Sequence, residues 1–177
     1  MQLWIIRHGE ASFDAPSDKE RRLTSKGQFD TQTLGALIAK KAERGECLMP
    51  SAAFSSPYIR TRQTLENVQQ GILEALDPGA TMQTTLVDAL TPNNQALSTI
   101  NVLYQYLESQ QSLATSALIV THMPLISDLL ATLIDGSAQN AYRYRMSPAS
   151  AALIQLDVMA SGMAELKALY HAPYTSN

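Results

Sequence analysis

The sequence predicts a three-layer α/β/α fold with a mainly parallel central sheet and a C-terminal antiparallel β-hairpin. Residues 3–6 and 116–121 are short, almost uninterrupted apolar runs, which are typical of strands buried on both faces. Segments of helical periodicity alternate with the strand-like runs, as they do where helices cover both faces of a parallel sheet. The last two strand-like runs instead flank a turn at Gly162, which indicates the hairpin.

The first predicted strand, residues 3–6, runs directly into Arg7 and His8. Open α/β sheets bind their ligands at the carboxyl ends of their strands, so these two side chains are placed to meet an anionic ligand. Residues 11–23 are polar and turn-rich and are predicted to form a loop over this strand end. Arg21 ends the loop, and on the residues alone a solvated basic side chain is its simpler interpretation.

A helix is predicted to begin at Thr24 or Ser25, because Ser25 and Gln28 have the spacing of a capping box. Gly45 is a suitable stop for it. Its apolar face consists of Leu34, Leu37 and Ile38. Residues 52–54 then form a short second strand.

The next helix is predicted to start at Ser56 and Pro57, with serine as the N-cap and proline in the first helical position. Its apolar face consists of Leu65, Val68, Ile72 and Leu76. Arg60 and Arg62 fall in its first turns, where the helix N-terminus attracts anions. We expect Arg60, which is nearer the strand end, to face the anion and Arg62 to face solvent.

A turn is predicted at residues 77–79 and a short strand at 82–87, with Asp88 directly after the strand. Asn93 or Asn94 is the expected cap of a third helix. The predicted buried face of this helix consists of Leu97, Ile100, Tyr104 and Leu107.

The strongly apolar strand at 116–121 runs directly into His122, and a fourth helix is predicted from Pro124. The inward side of that helix consists of Leu125, Ile126, Leu129, Leu130 and Leu133. Residues 152–156 and 165–170 are the expected strands of the hairpin.

Length and composition limit the class of protein. The 177 residues fit a single domain spanning 1–177, and the net charge of −3 without a basic stripe argues against a nucleic-acid partner. Cys47 is the only cysteine, so no intrachain disulfide can form. Apolar runs are too short for a signal peptide or a membrane span. We expect a cytoplasmic monomer without a membrane or nucleic-acid partner.

The placement of the histidines points to chemistry. The chain has three, and two of them, His8 and His122, directly follow its two most apolar strands. His171 is expected to be structural or merely exposed. With Arg7 and Arg60 at the same edge of the sheet, the site combines a nucleophile with a cationic clamp.

Other chemistries fit less well. The histidines, acids and single cysteine lack the spacing of a zinc site. Glycine-rich phosphate loops and the Gly-x-Ser-x-Gly motif are also absent from the sequence. The site is therefore expected to need neither a metal nor a cofactor.

Three motifs in this order resemble the histidine phosphatase superfamily: Arg7-His8-Gly9, Ser56-Pro57-x-x-Arg60-x-x-Gln63-Thr64 and Thr121-His122. The chain is more narrowly similar to the SixA-type phosphohistidine phosphatases in Arg21-Arg22-Leu23-Thr24, Asp88-x-Leu90-Thr91-Pro92 and Thr121-His122-x-Pro124-Leu125. It departs from them at Arg22, where those proteins usually have proline, and in a somewhat longer tail.

The resemblance implies a phosphoglycerate mutase-like fold and a role for each motif residue. His8 would attack phosphorus and carry the phosphoryl group as a covalent intermediate. Arg7, Arg60 and His122 would bind the phosphoryl oxygens. Two nearby arginines would lower the pKa of His8, so its imidazole would be neutral and reactive.

Two further residues are implied less directly. Arg21 resembles a pocket residue of the SixA type. Larger relatives carry a glutamate that protonates the leaving oxygen in the segment corresponding to residues near Asp88, so Asp88 is a candidate acid.

The implied substrate is a phosphohistidine-containing protein, such as a phosphotransfer or phosphocarrier domain. About fifty residues separate Thr64 from Ala114, which leaves little chain for the lid of the larger relatives and favours a site open to a protein. A phosphatase or mutase for small phosphorylated metabolites is the alternative enzyme. A non-catalytic anion-binding module is the third alternative, although binding alone needs no nucleophile.

Overall fold

The structure, a computed structural model, describes residues 1–76, 82–109 and 115–174. The turn predicted at 77–79 lies outside these ranges. The strands are β1 (Gln2–Arg7), β2 (Ala52–Ser55), β3 (Gln83–Leu86), β4 (Ser116–Thr121), β5 (Ala151–Leu156) and β6 (Ala164–Tyr170). The helices are α1 (Ser25–Glu43), α2 (Ile59–Ala75), α3 (Ala96–Ser109) and α4 (Leu125–Asp135), with short 3₁₀ helices at Asp18–Glu20, Asp88–Leu90 and Ala138–Tyr144.

The six strands form one sheet in the order β3-β2-β4-β1-β5-β6. The first four are parallel, and β5 and β6 are antiparallel additions beside β1. The predicted fold class is therefore confirmed. Since β1, β2 and β4 are parallel neighbours, their carboxyl ends lie together at one edge of the sheet.

Alternate residues of the central strands supply two separate cores. Trp4 and Ile6 pack with the apolar faces of α1 and α2. Leu3 and Ile5 pack with those of α3 and α4 on the other side of the sheet. This arrangement is the three-layer architecture expected from the alternation of elements.

Helix α1 begins at Ser25, as predicted, but its capping residue and the start of α2 differ from the prediction. Thr24 rather than Ser25 caps α1, and its hydroxyl accepts a 3.0 Å hydrogen bond from the Gly27 amide. Helix α2 begins at Ile59, so Ser56 is not its N-cap. The Ser56 hydroxyl lies 2.8 Å from a ring nitrogen of His122.

Half of the predicted buried face of α3 is correct: Ile100 and Leu107 are buried, whereas Leu97 and Tyr104 are not. Leu97 and Tyr104 are 61% and 41% exposed. The buried residues of α3 include Ala96, Thr99, Ile100, Leu103 and Leu107. Both sets have helical spacing, and packing against the sheet selects the one that places Leu103 inward. Asn94 does not cap the helix; its amide donates to the Asp88 carbonyl instead.

The last third of the chain follows the prediction. Pro124 precedes the first residue of α4, and Gly136 ends the helix with φ of 80°, the left-handed conformation that glycine adopts without strain. Strands β5 and β6 pair as the expected hairpin, with an irregularity between Leu153 and Ile154. Among the described residues, no helix has the length and apolarity required to cross a bilayer.

Candidate active site

A cavity of about 370 Å³ opens at the carboxyl ends of the parallel strands. It contains the four residues that the sequence predicted to meet there: Arg7, His8, Arg60 and His122. The other residues of its lining are Glu10, Ala11, Phe13, Asp18, Arg21, Pro92, Met123 and Pro148.

His8 is held at the end of β1 with one ring nitrogen fixed by the backbone. Its Nδ1 lies 2.8 Å from the Gly9 carbonyl oxygen, which can only accept, so Nδ1 carries the proton. The lone pair of Nε2 then accepts a 3.2 Å hydrogen bond from Nε of Arg60. The Gly9 amide donates to the Thr64 hydroxyl at 2.9 Å, which ties this turn to α2.

The His8 imidazole is neutral near pH 7. Its pKa is lowered to about 4, mainly by burial and also by the charges of Arg60, Arg7 and Arg21. The hydrogen bond to the Gly9 carbonyl acts in the opposite direction and raises the pKa. From the sequence, the arginines were expected to lower the pKa of His8, but loss of solvation is the larger cause.

Arg60 is only 3% exposed, and each of its three guanidinium nitrogens has a partner. Nε donates to His8, Nη1 donates to the backbone carbonyl of Asp18, and Nη2 donates to an Asp18 carboxylate oxygen at 3.0 Å. The guanidinium also lies 4.9 Å from the ring centre of Tyr58. Arg62 is exposed, as predicted.

Arg7, the last residue of β1, lies beside His8 in the cavity. Its Nη1 donates to the carbonyl of Met146, whereas its buried Nε has no partner among the described residues. Burial lowers the pKa of Arg7 from its usual value. The side chain thus keeps a donor for an anion in the cavity.

His122 is buried at the end of β4, with 1% of its surface exposed. Its Nε2 lies 2.8 Å from the Ser56 hydroxyl, and its buried Nδ1 has no partner among the described residues. Burial and then the proximity of His8 hold the pKa of His122 well below its usual range.

The Ser56 hydroxyl contacts Nε2 of His122, and its oxygen also accepts a hydrogen bond from the Tyr58 amide at 3.4 Å. In the tautomer in which this hydroxyl donates to Nε2, the neutral His122 ring carries its own proton on Nδ1. The His8 and His122 ring centres are 5.1 Å apart, so His122 can offer this proton to an oxyanion bound at His8.

Arg21 lines the cavity, and its interpretation as a solvated basic side chain was wrong. Its Nε and Nη2 donate to the carbonyls of Ser12 and Ala11 at 2.8 and 3.1 Å. Its Nη1 donates to Asp18 at 3.2 Å. The guanidinium carbon lies 4.0 Å from the ring centre of Phe13. The side chain is therefore part of the cavity wall.

Asp18 is the residue that sequence reasoning missed. Burial raises its pKa, but hydrogen bonds and charge from Arg60 and Arg21 outweigh this effect and lower it. It lies in the polar loop predicted to cover the end of β1, and its proximity to Arg21 in sequence was the available signal.

Asp88, the candidate acid, does not line the cavity that holds His8. It is exposed and lines a neighbouring depression formed by Lys19, Pro57, Tyr58 and Thr91. Asp88 is the first residue of the short 3₁₀ helix after β3, and its sequence position gave no sign that it lies outside the His8 cavity.

His171 lies apart from the cavity; its Nδ1 is 2.9 Å from the Ser150 hydroxyl. Among the described residues, no cluster of three or more histidine, cysteine or acidic side chains could hold a metal ion. Arg7, Arg21 and Arg60 line the cavity and supply positive charge there for an anion.

Comparison with known proteins places this geometry in a family. No protein-family model matches the chain. The phosphohistidine phosphatase SixA homolog of Haemophilus influenzae is 32% identical over 141 residues, which cover 75% of this chain and 77% of the relative. The phosphohistidine phosphatase SixA of Escherichia coli is 28% identical over 137 residues, covering 77% and 76%.

A solved structure gives the same result over a longer part of the chain. The protein histidine phosphatase SixA complexed with tungstate superimposes with a TM-score of 0.71 at 26% identity, covering 97% of both chains. The chain therefore belongs to the SixA family of phosphohistidine phosphatases, within the histidine phosphatase superfamily.

Proposed function

We propose that this protein removes phosphate from phosphohistidine in a partner protein through a covalent intermediate on His8. The observation that carries the proposal is the state of His8: a buried, neutral imidazole whose Nδ1 proton is held by Gly9. Its Nε2 lone pair is left among Arg7, Arg60 and His122 in the cavity. The names of both relatives support the substrate class.

In the first step, Nε2 of His8 attacks phosphorus. The new N–P bond forms as the substrate N–P bond breaks, and the substrate imidazole leaves with the electron pair. In the structure, Nε of Arg60 donates a hydrogen bond to the lone pair of Nε2. This hydrogen bond must break before Nε2 can form a bond to phosphorus.

The oxygens of the transferred group need positive charge and hydrogen bonds more than covalent chemistry. Nε of Arg7 and Nδ1 of His122 have no hydrogen-bond partner in the part of the chain that the structure describes, and both would donate to these oxygens, His122 as its Nδ1 tautomer. Arg60 supplies its remaining N–H groups, and Arg21 adds charge at the cavity wall. Tungstate, the ligand of the SixA neighbour, is an oxyanion, which supports a cavity of this kind.

In the second step, water attacks phosphorus, the His8–phosphorus bond breaks, and inorganic phosphate is released. The electron pair of the broken bond returns to Nε2. Throughout the cycle Nδ1 keeps its proton, which it donates in the hydrogen bond to the Gly9 carbonyl. His8 is thereby restored in the tautomer that began the cycle.

The leaving group decides which substrates react. An alkyl phosphate releases a basic alkoxide, so a positioned acid is worth typically 10²–10⁴-fold. Phosphohistidine releases an imidazole whose other nitrogen can be protonated from water near neutral pH. Asp88 lies outside the cavity, Asp18 is held by arginines, and the Glu10 carboxylate in the cavity lining accepts a 2.8 Å hydrogen bond from the Thr24 hydroxyl, so the site favours phosphohistidine.

A substrate panel tests the proposal. We expect kcat/KM on a phosphotransfer domain phosphorylated at histidine, and on free phosphohistidine, to exceed that on phosphoserine or phosphoglycerate by about 10² or more. Comparable turnover of a simple alkyl phosphate would contradict the proposal and favour a phosphatase or mutase for small metabolites.

A chelator tests whether the positive charge in the cavity comes from the arginines or from a bound metal ion. Because the arginines supply the positive charge, we expect EDTA to leave phosphohistidine turnover unchanged. Loss of turnover with EDTA, followed by recovery with zinc or magnesium, would contradict the role given to the arginines.

A further inference from the structure

Phe13 stands at the mouth of the cavity with its ring almost entirely in water. It is 88% exposed, more than any other large apolar side chain among the described residues. It lines the same cavity as His8 and Arg60. An exposed aromatic ring beside a buried cationic site is a surface that a partner can cover.

The loop holds this ring in place. The guanidinium of Arg21 stacks on Phe13 at 4.0 Å and is itself anchored to the carbonyls of Ala11 and Ser12. The Ser12 amide donates to the Arg22 carbonyl at 2.8 Å across the loop. An aromatic side chain ordered before binding loses little conformational freedom when a partner covers it.

Three other apolar side chains complete the mouth. Pro92, Met123 and Pro148 line the cavity and are only partly buried. With Phe13 they are the exposed or partly buried large apolar side chains of this cavity lining, and we call these four residues the apolar rim. Arginine and histidine side chains line the same cavity. Protein interfaces combine apolar and aromatic anchors with polar groups in this way.

We propose that this apolar rim, with Phe13 as its main anchor, is the docking surface for the phosphorylated protein. The inference rests on the proposed function. A protein that delivers its phosphohistidine to His8 must pass the rim, because the rim and His8 line one cavity. The partner is expected to carry apolar side chains beside its phosphohistidine. Free phosphohistidine has no such surface and would leave Phe13 uncovered.

The test compares Phe13→Ala on two substrates: a phosphotransfer domain phosphorylated by phosphoramidate, and free phosphohistidine. On the domain we expect kcat/KM to fall about tenfold, mainly through KM, as for truncation of an aromatic interface anchor. On free phosphohistidine we expect a change within about twofold, because this substrate has no surface that covers the exposed Phe13 ring. Phe13→Leu should retain most of the activity on the domain.

Phe29→Ala is the matched control. Phe29 is 69% exposed but lies on α1, in a different depression formed with Gln32 and Glu74. The Phe29→Ala variant should have wild-type kcat/KM on both substrates. An equal loss on both substrates in Phe13→Ala would mean that Phe13 acts through Arg21, and no loss on either would mean that the rim is not used. Both results overturn the inference, whereas wild-type protein inactive on both substrates would overturn the proposed function itself.

Discussion

Two segments cross the carboxyl end of the sheet, and each presents an aspartate from a short 3₁₀ helix. Residues 11–23 place the Asp18 carboxylate 3.0 Å from Arg60 in the cavity. Residues 87–94 leave Asp88 exposed in the neighbouring depression. The two segments are alike in local structure, and they differ in what faces the proposed nucleophile.

The anchoring of each turn explains the difference. Two arginines hold the Asp18 side chain, Arg60 from α2 and Arg21 from the loop itself. In the other segment the backbone carbonyl of Asp88 is used instead, and it accepts from the Thr91 amide and the Asn94 side chain. The carboxylate of Asp88 is left to solvent.

The contrast bears on the reaction. Asp18, inside the cavity, is kept ionised by arginine and cannot readily donate a proton, whereas Asp88 lies outside the cavity. The third carboxylate, Glu10 in the cavity lining, accepts a hydrogen bond from the Thr24 hydroxyl. Such a site suits a leaving group that takes its proton from water, which is the property of phosphohistidine.

The largest expected effect comes from Arg60, which contacts both His8 and Asp18, the inner aspartate; Asp88 is the outer aspartate. Arg60→Ala should lower kcat/KM between about a hundredfold and a thousandfold, as for removal of one donor to a developing oxyanion. Arg62→Ala is the matched control, since Arg62 is on the same helix and exposed. Steady-state assays on phosphohistidine check this, and equal activity of the two variants would remove Arg60 from the clamp.

Acid should lower the free energy of unfolding, because His8 is buried as a neutral imidazole. Its pKa falls from an ordinary 6.5 to about 4 on folding, so between these values the unfolded chain binds a proton that the folded protein does not. The free energy of unfolding should therefore drop as pH falls from 6.5 to 4, by up to about 3 kcal/mol, with no further loss from His8 below pH 4.

Urea titrations at pH 7 and pH 4.5 measure this loss. His8→Gln removes the titrating group, so its loss over the same interval should be smaller than that of the wild type. Identical losses in the two proteins would show that His8 is not the buried neutral group described here.

The inner aspartate should matter less than the arginine it holds. Asp18→Ala removes one of the two acceptors that Asp18 offers to Arg60, so the guanidinium is held less firmly against His8. We expect kcat/KM to fall about tenfold, in line with the cost of misplacing a positioned group. Kinetics of the variant on free phosphohistidine provide the measurement, and wild-type rates would mean that Asp18 does not position Arg60.

The outer aspartate should matter least. Asp88→Asn is expected to change phosphohistidine turnover within about twofold, because an exposed side chain outside the cavity touches no reacting atom. Collapse of turnover in this variant would reverse the assignment of the two segments and identify Asp88 as an acid that reaches the cavity.

The same contrast shows what the sequence could and could not predict. His8 and His122 were predicted together because buried parallel strands must end at one edge, and Arg60 because it opens the helix that follows such a strand. Their catalytic roles remain predictions. Asp18 was missed because its contact with Arg60 spans 42 residues and depends on a loop conformation that no periodicity encodes.

Half of the predicted buried face of α3 was wrong for a related reason. Two overlapping sets of residues have helical spacing there, and only contact with the sheet distinguishes them. Leu97 and Tyr104 were therefore assigned inward although Leu103 is the residue that packs. Ser56 likewise looks like a helix cap in the sequence, and its pairing with His122 appears only when β2 and β4 are neighbours.

The most direct test of the account is to trap the phosphoryl group on the protein. Wild-type protein is mixed with a ³²P-labelled phosphohistidine domain, quenched in alkali within milliseconds to seconds, and analysed by peptide mapping. The account predicts label that is stable to alkali and labile to acid on the peptide that contains His8, and none at that peptide in His8→Ala, which should also lose turnover. Normal turnover by His8→Ala, or label on another residue that is released at the rate of turnover, would contradict it.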